Sequence, residues 1–256
     1  MRRIQFAAAI AVAGLPGAAA AHRAHAAAAG NAYLRGFGCH RSVNPGKRAV
    51  TVTAVMGTVP GTARLQMRFV LQERTARGLG FVRGGDLGQW ISPSSPTLGQ
   101  HPSDQWIVNH PVTGVPVSAS YRFRVSFRWI AASGQTIGQT QRTTGLCRQP
   151  DMRPDLYVQL LSSAAVAGGD QYNVEVGNKG LTAANGVEVQ LVPGGGAQPQ
   201  AETIGRLAPH QTVEKTFVGP TCTAASPPST ITVDPDDLID VVSRADNSIT
   251  VPCPSG

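Results

Sequence analysis

Apolar and polar residues alternate along several stretches in the first half of the chain. Between 121 and 129 every second residue is aromatic or aliphatic, and the residues between them are three arginines and one serine. The stretch 65–71 follows nearly the same pattern. A period of two residues is that of a β-strand with one buried face. Further strands are predicted over 50–56, 105–109 and 136–141, with Gly-, Pro- and Ser-rich segments between them.

The second half of the chain repeats this organisation. Strands are predicted over 156–161, 172–176, 187–192, 212–218 and 230–233, again separated by turn residues. Gly (29) and Pro (19) are numerous and charged residues make up only 14% of the chain. This composition favours short strands joined by turns over a helical bundle or an α/β enzyme. The predicted fold class is all-β, with two β-sandwich domains.

The N-terminus has the features of a signal peptide, which we assign to residues 1–26. Arg2 and Arg3 precede an apolar run over 4–21, and Ala24-His25-Ala26 fits a cleavage site, with 19–21 as the alternative. No later stretch has the roughly 18 consecutive apolar residues of a membrane-spanning helix. We therefore expect a secreted protein, extracellular or associated with the cell wall, with no membrane span in the mature chain.

The four cysteines agree with export, because disulfides form in oxidising compartments. They are Cys39, Cys147, Cys222 and Cys253, and none forms a C-x-x-C pair. Three connectivities exist for four cysteines. We favour Cys39–Cys147 and Cys222–Cys253, since each pair brackets one block of predicted strands.

Charge divides the chain at the same place. Residues 31–150 contain fourteen basic and three acidic residues, whereas 151–256 contain five basic and twelve acidic residues. Two prolines flank a short polar linker over 149–154. We therefore predict a strongly basic domain over 31–150 and an acidic domain over 151–256.

Both predicted domains resemble known families. The run Tyr121-Arg122-Phe123-Arg124-Val125, followed by Gly134, resembles the late strands of fibronectin type III modules. In the second domain Pro154-Asp155-Leu156, then 174–180 (VEVGNKG), then 186–191 (GVEVQL), resemble the opening half of a CARDB domain, the cell-adhesion-related module of bacteria. Segments 204–207, 233–237 and 246–247 continue the pattern.

These resemblances imply two fibronectin-like or immunoglobulin-like β-sandwiches. The CARDB resemblance also implies a function, that of a non-catalytic secreted or cell-surface protein of the bacterial envelope that acts in binding or adhesion. The alternative is a secreted hydrolase or an accessory carbohydrate-binding subunit.

Two polar segments of the second domain are interpreted as turns. Asn178 and Gly180 suit a strand reversal that needs a positive φ. The aspartates of the second segment are expected in a solvated turn, but they also place hard oxygen ligands close together, which makes calcium the alternative. These four residues are Asp234, Asp236, Asp237 and Asp240.

The chain contains no G-x-S-x-G, H-E-x-x-H or Walker motif. His101, Asp104 and His110 are a minor candidate for a metal site. Trp90, Trp106 and Trp129 are expected as core or loop anchors, with a sugar-stacking platform as the alternative. We accordingly predict that the protein is not an enzyme and has no cofactor.

The functional surface is predicted on the basic domain. Arg122, Arg124 and Arg128 lie on the opposite parity to the aromatic residues of their strand, so they point outward if those residues fill the core. Arg68 has the same parity on its own strand, and neighbouring strands would bring the four arginines into a ladder. Such a ladder attracts a protein or an anionic cell-envelope polymer. Nucleic acid is not expected as a partner of an exported protein, and the oligomeric state is left open.

Overall fold

The computed structural model describes residues 30–222 and 226–254. The predicted signal peptide, residues 1–26, lies outside these ranges. The described residues form an all-β protein, as the alternation of apolar and polar residues predicts. In this part of the chain there is no helix with the length and apolar character needed to cross a bilayer.

Contacts within the chain divide it into two compact units. The first contains the described residues up to His40 together with Arg48–Gln149, and the second contains Arg41–Lys47 and the described residues from Pro150 onward. Apart from a short 3-10 helix at Pro45–Lys47, the regular elements are strands.

The first unit is a sandwich of a three-stranded and a six-stranded sheet. Its strands are β1 (Ala32–His40), β2 (Ala49–Gly57), β3 (Arg64–Thr75), β4 (Gly78–Phe81), β5 (Trp90–Ile91), β6 (Gln105–Thr113), β7 (Ala119–Ile130), β8 (Thr136–Thr143) and β9 (Cys147–Gln149). One sheet has the order β1-β2-β6 and the other the order β4-β3-β7-β8. The short strands β5 and β9 pair with β3 and β7.

The core of the first unit is formed by the apolar side chains that alternate along β3 and β7 of one sheet and along β2 of the other. Two aromatic residues of β7 have polar groups, and both find partners. Trp129 is fully buried and its Nε1 donates a hydrogen bond to the Gly57 carbonyl at 2.7 Å. The Tyr121 hydroxyl lies 2.7 Å from a carboxylate oxygen of Glu73 and 3.0 Å from the Pro116 carbonyl. Burial and then the neighbouring Glu73 raise the pKa of Tyr121.

The second unit is a smaller sandwich of three and four strands. Its strands are β10 (Leu156–Val166), β11 (Gly169–Asn178), β12 (Ala184–Val192), β13 (Gln200–Leu207), β14 (Thr212–Gly219), β15 (Ser229–Val233) and β16 (Ser248–Val251). The sheet orders are β10-β11-β14 and β13-β12-β15-β16. If β5 and β9 are set aside, this is the same strand order as in the first unit, so the two units share one topology.

The turn after β11 differs from the sequence-based expectation. Neither Asn178 nor Gly180 has a positive φ. Asn178 is 1% exposed, and its amide makes four hydrogen bonds to backbone groups. Gly180 is needed for space, because a Cβ there would lie 2.4 Å from the Arg153 carbonyl oxygen. Among the described residues of the second unit other than glycine, positive φ angles occur at His210, Asp234 and Asp237.

Both favoured disulfides are present. Cys39 of β1 is bonded to Cys147 of β9, with their Cα atoms 5.3 Å apart. Cys222, which follows β14, is bonded to Cys253, which follows β16, with a Cα–Cα distance of 5.7 Å. Each bond therefore lies within one unit and joins parts of the chain that are distant in sequence.

Candidate functional site

The six-stranded sheet of the first unit presents a basic outer surface. β3 and β7 are antiparallel neighbours over 64–74 and 120–130. Because side chains alternate between the faces of a strand, the residues between the buried aromatics point away from the core. Six arginines of β3 and β7 lie on this outer surface, and we call the surface that they form the arginine face: Arg64, Arg68, Arg74, Arg122, Arg124 and Arg128.

The strand register differs from the predicted ladder of arginines that face one another across the strands. Arg128 lies opposite Gln66 and Arg122 opposite Gln72, while Arg68 faces Ser126. Two of these cross-strand pairs are hydrogen-bonded, since Arg128 Nε donates to Gln66 Oε1 at 2.5 Å and Arg122 Nε donates to Gln72 Oε1 at 2.8 Å. The arginines are thus staggered instead of directly opposed, which avoids the cost of like charges facing each other across strands.

Trp90 covers one end of the arginine face. β5 pairs with β3 so that Trp90 lies opposite Arg68. The guanidinium carbon of Arg128 is 4.0 Å from the centroid of the indole ring, and that of Arg68 is 4.9 Å from it. Burial, followed by the charges of Arg64 and Arg68, lowers the pKa of Arg128. Trp90 is therefore an anchor that orients two cations, whereas Trp106 packs against the core and Trp129 lies within it.

The three carboxylates of the first unit are engaged away from this surface. Glu73 accepts from Tyr121, and Asp86 is 2.8 Å from Nε2 of His110. Asp104 accepts hydrogen bonds from the backbone N–H groups of Gly99 and His101, which lower its pKa in that order. Within the described residues, no carboxylate lies within ion-pair distance of the arginine face.

The histidine candidates for a metal site are not brought together as one cluster. His101 Nδ1 is 3.5 Å from an Asp104 oxygen. His110 instead points into the sandwich, where its ring contacts that of Phe69 in a tilted arrangement at a centroid distance of 4.6 Å, and it pairs with Asp86. Across the part of the chain that the structure describes, no group of three or more His, Cys, Asp or Glu side chains is arranged to hold a metal ion.

The aspartate-rich turn of the second unit is built on arginine ion pairs. Asp234 is 5% exposed, so the prediction of a solvated turn is wrong for this residue. It accepts hydrogen bonds from the N–H groups of residues 238 and 239 and pairs with Arg244 at 2.9 Å. Arg244 also pairs with Asp237 at 2.6 Å, and Arg153 pairs with Asp240 at 2.7 Å. Three of the four carboxylates that form the alternative calcium site therefore already have cationic partners, and Asp236 is the fourth.

Two arginines of the face and the apolar residues beside it are absent from the sequence-based predictions. Arg64 and Arg74 share the parity of Arg68 on β3, so the alternation contained the signal for both. Leu79 belongs to the four-residue strand β4 and Leu146 to the loop before β9, and no periodicity marks either residue. Only the strand register places these two leucines next to the arginines.

The comparisons with known proteins leave the family of the chain open. No family model matches it, and no curated protein is similar in sequence. Among solved structures, red sea bream transglutaminase is 15% identical with a TM-score of 0.30, over 88% of this chain and 31% of that one. A structure describing inhibition of the exo-β-D-glucosaminidase CsxA is 12% identical with a TM-score of 0.27, over 85% of this chain and 26% of that one. This chain spans less than a third of either structure, and both TM-scores are too low to bear on function.

Proposed function

We propose that this protein is a non-catalytic binding protein, secreted or held at the bacterial cell surface, whose arginine face binds an anionic polymer of the cell envelope. The observation that carries the proposal is the set of six outward arginines on β3 and β7, none of which has a carboxylate within ion-pair distance among the described residues. Such a surface attracts polyanions and orients their approach. The CARDB resemblance of the second domain supports the adhesive part of this role.

The geometry of the arginine face supports binding of an extended polymer along the sheet. Glutamine side chains hold two of the arginines by Nε, so the outer nitrogens of each guanidinium remain for a ligand. At the end of the arginine face that Trp90 covers, the indole ring holds Arg68 and Arg128 near each other. A polymer with repeated phosphate or carboxylate groups offers several anions to cations that are spaced along two strands. The two disulfides support export, because such bonds persist in oxidising compartments.

The test is binding of the whole protein to polyphosphate and to polygalacturonate, with neutral dextran as the reference, across a salt series. A variant with Arg122, Arg124 and Arg128 changed to Ser is compared with one in which Arg35, Arg77 and Arg83 are changed to Ser. The second variant loses the same charge from exposed arginines in β1, in the turn after β3 and after β4, so it controls for net charge.

Exposed charge pairs contribute about 0.2–1 kcal/mol each, so the first variant, which lacks three of them, should bind a polyanion roughly 3- to 150-fold more weakly. The control variant should retain most of the affinity, and added salt should weaken binding of the natural protein. The proposal would be overturned if both variants lost the same affinity for the polyanions. It would also be overturned if the protein bound dextran as tightly as the polyanions and added salt had no effect on binding.

A further inference from the structure

A cavity of about 320 Å³ lies at the end of the arginine face opposite Trp90. Arg74 and Arg122 line it, Leu79 and Leu146 border it, and Gln72 and Ser120 also contribute to its wall. A cavity of this size is at the small end of those that take small molecules. It is therefore suited to one chemical group with a short attached chain.

The strand register explains how this cavity arises. Leu79 of β4 lies opposite Arg74 of β3, and Arg74 lies opposite Ser120 of β7. In the neighbouring row Gln72 lies opposite Arg122. The pairing of β9 with β7 ends at Cys147, which lies opposite Tyr121. Leu146 precedes Cys147, so it lies beside Arg122, which has no partner in β9. The small Ser120 side chain leaves the space between the two arginines.

The polar part of the cavity is prepared for an anion. The hydrogen bond from Arg122 Nε to Gln72 Oε1, 2.8 Å long, fixes the orientation of the guanidinium. Its two remaining nitrogens can then donate together to a carboxylate or phosphate. Arg74 is exposed beside it, and in the described parts of the chain neither arginine has a carboxylate partner.

The apolar part is unusual for a basic surface. Leu79 is 60% exposed and Leu146 is 56% exposed, and they border the cavity from β4 and from the loop before β9. Phe81, which lies opposite Gln72 on the same face, is 54% exposed. Clustered large apolar side chains on a surface mark contact sites for apolar ligand groups. A polymer of purely ionic groups would leave these side chains in water.

We propose that this cavity binds an anionic amphiphile, with a phosphate or carboxylate headgroup between Arg74 and Arg122 and an aliphatic chain against Leu79 and Leu146. The proposal rests on the proposed function, since it assigns one end of the same face. It identifies the ligand at that end as a lipid-like group instead of a further stretch of polymer.

The test is calorimetric titration of the whole protein with octyl phosphate and with octanoate, both below the concentrations at which they form micelles. Inorganic phosphate and octanol are the headgroup and the chain alone. Saturable binding of octyl phosphate or octanoate is expected, about tenfold or more tighter than binding of either part alone. The comparison of the two amphiphiles shows which headgroup the arginines prefer.

Single substitutions locate the site. R122Q and L79S should each weaken amphiphile binding by about tenfold, because one removes charged donors and the other removes apolar contact. R128Q is the matched control, since it makes the same chemical change on the same strand at the Trp90 end. All three side chains are at least partly exposed, and circular dichroism checks that each variant is folded.

The outcomes separate this inference from the proposed function. If neither amphiphile binds, or if R128Q weakens binding as much as R122Q does, the inference is overturned. Loss of polyanion binding in the triple arginine variant would still support the proposed function in that case. If an amphiphile binds with the expected dependence while polyanions do not, the inference stands and the polymer-binding function is overturned.

Discussion

Replacing Asn178 by Ala should destabilise the second unit more than any surface change of similar size. The side-chain amide donates to the carbonyls of Thr182 at 2.8 Å and Leu207 at 3.2 Å. Its oxygen accepts from the N–H groups of Asp155 at 3.0 Å and Gly180 at 2.9 Å. One buried amide therefore ties together the start of β10, the turn after β11 and the end of β13.

The magnitude follows from these four bonds. Each hydrogen bond of this kind contributes about 1 kcal/mol net, so Asn178→Ala should lower the free energy of unfolding by about 4 kcal/mol. This is a large part of the roughly 5–15 kcal/mol by which a typical protein is stable. Asn178→Asp should cost at least as much, because a carboxylate would face the two carbonyl oxygens.

The assay uses the distribution of tryptophans. All three, Trp90, Trp106 and Trp129, lie in the first unit, so their fluorescence reports that unit, whereas circular dichroism reports both. Urea unfolding of Asn178→Ala should shift a transition seen by circular dichroism and leave the fluorescence transition in place. The control is Asn185→Ala at an exposed position of β12, which should change stability by less than about 0.5 kcal/mol. A loss below about 1.5 kcal/mol, or a shift of the fluorescence transition, would refute the reasoning.

Three further outcomes are expected. Changing Cys222 and Cys253 together to Ser should destabilise the second unit by about 4 kcal/mol, as measured by urea unfolding, because the bond closes a loop with a sequence separation of 31. Gly180→Ala should lower the free energy of unfolding by about 2 kcal/mol or more in the same assay, because the added Cβ would overlap backbone atoms. Gly205→Ala should be nearly neutral, because a Cβ at that position would have open space around it. Folding lowers the pKa of Asp104. The ionised carboxylate therefore stabilises the folded protein at pH values above the ordinary carboxyl pKa, and this stabilisation is lost as the pH falls through the lower pKa of the folded state. Asp104→Asn should therefore reduce the loss of first-unit stability, followed by tryptophan fluorescence, below about pH 4.

The strands and their faces were largely determined by local sequence. The alternation over 121–129 predicted β7 and correctly separated its buried aromatics from its outward arginines. The five strand candidates of the second half correspond to β10, β11, β12, β14 and β15, although all five extend beyond the predicted limits, and β10, β11 and β12 do so by three residues or more. These predictions succeed because buried and exposed positions alternate along a half-buried strand, so consecutive residues alone show the pattern. The favoured cysteine pairs also followed from the blocks of strands that they bracket.

Only the tertiary structure decided which side chains meet across strands. The sequence placed Arg68 and Arg122 on outward faces, but the register of β3 against β7 set glutamines opposite two arginines and left none of them directly opposed. The same register brought Leu79, Arg74 and Ser120 into one row, and the short strand β5 carried Trp90 onto the face. The sequence predicts Asn178 only as a turn residue, and its buried hydrogen bonds could not be predicted because one of its backbone partners is as far along the chain as Leu207. Register and buried hydrogen bonds depend on partners distant in sequence, and a pattern of neighbouring residues carries no information about them.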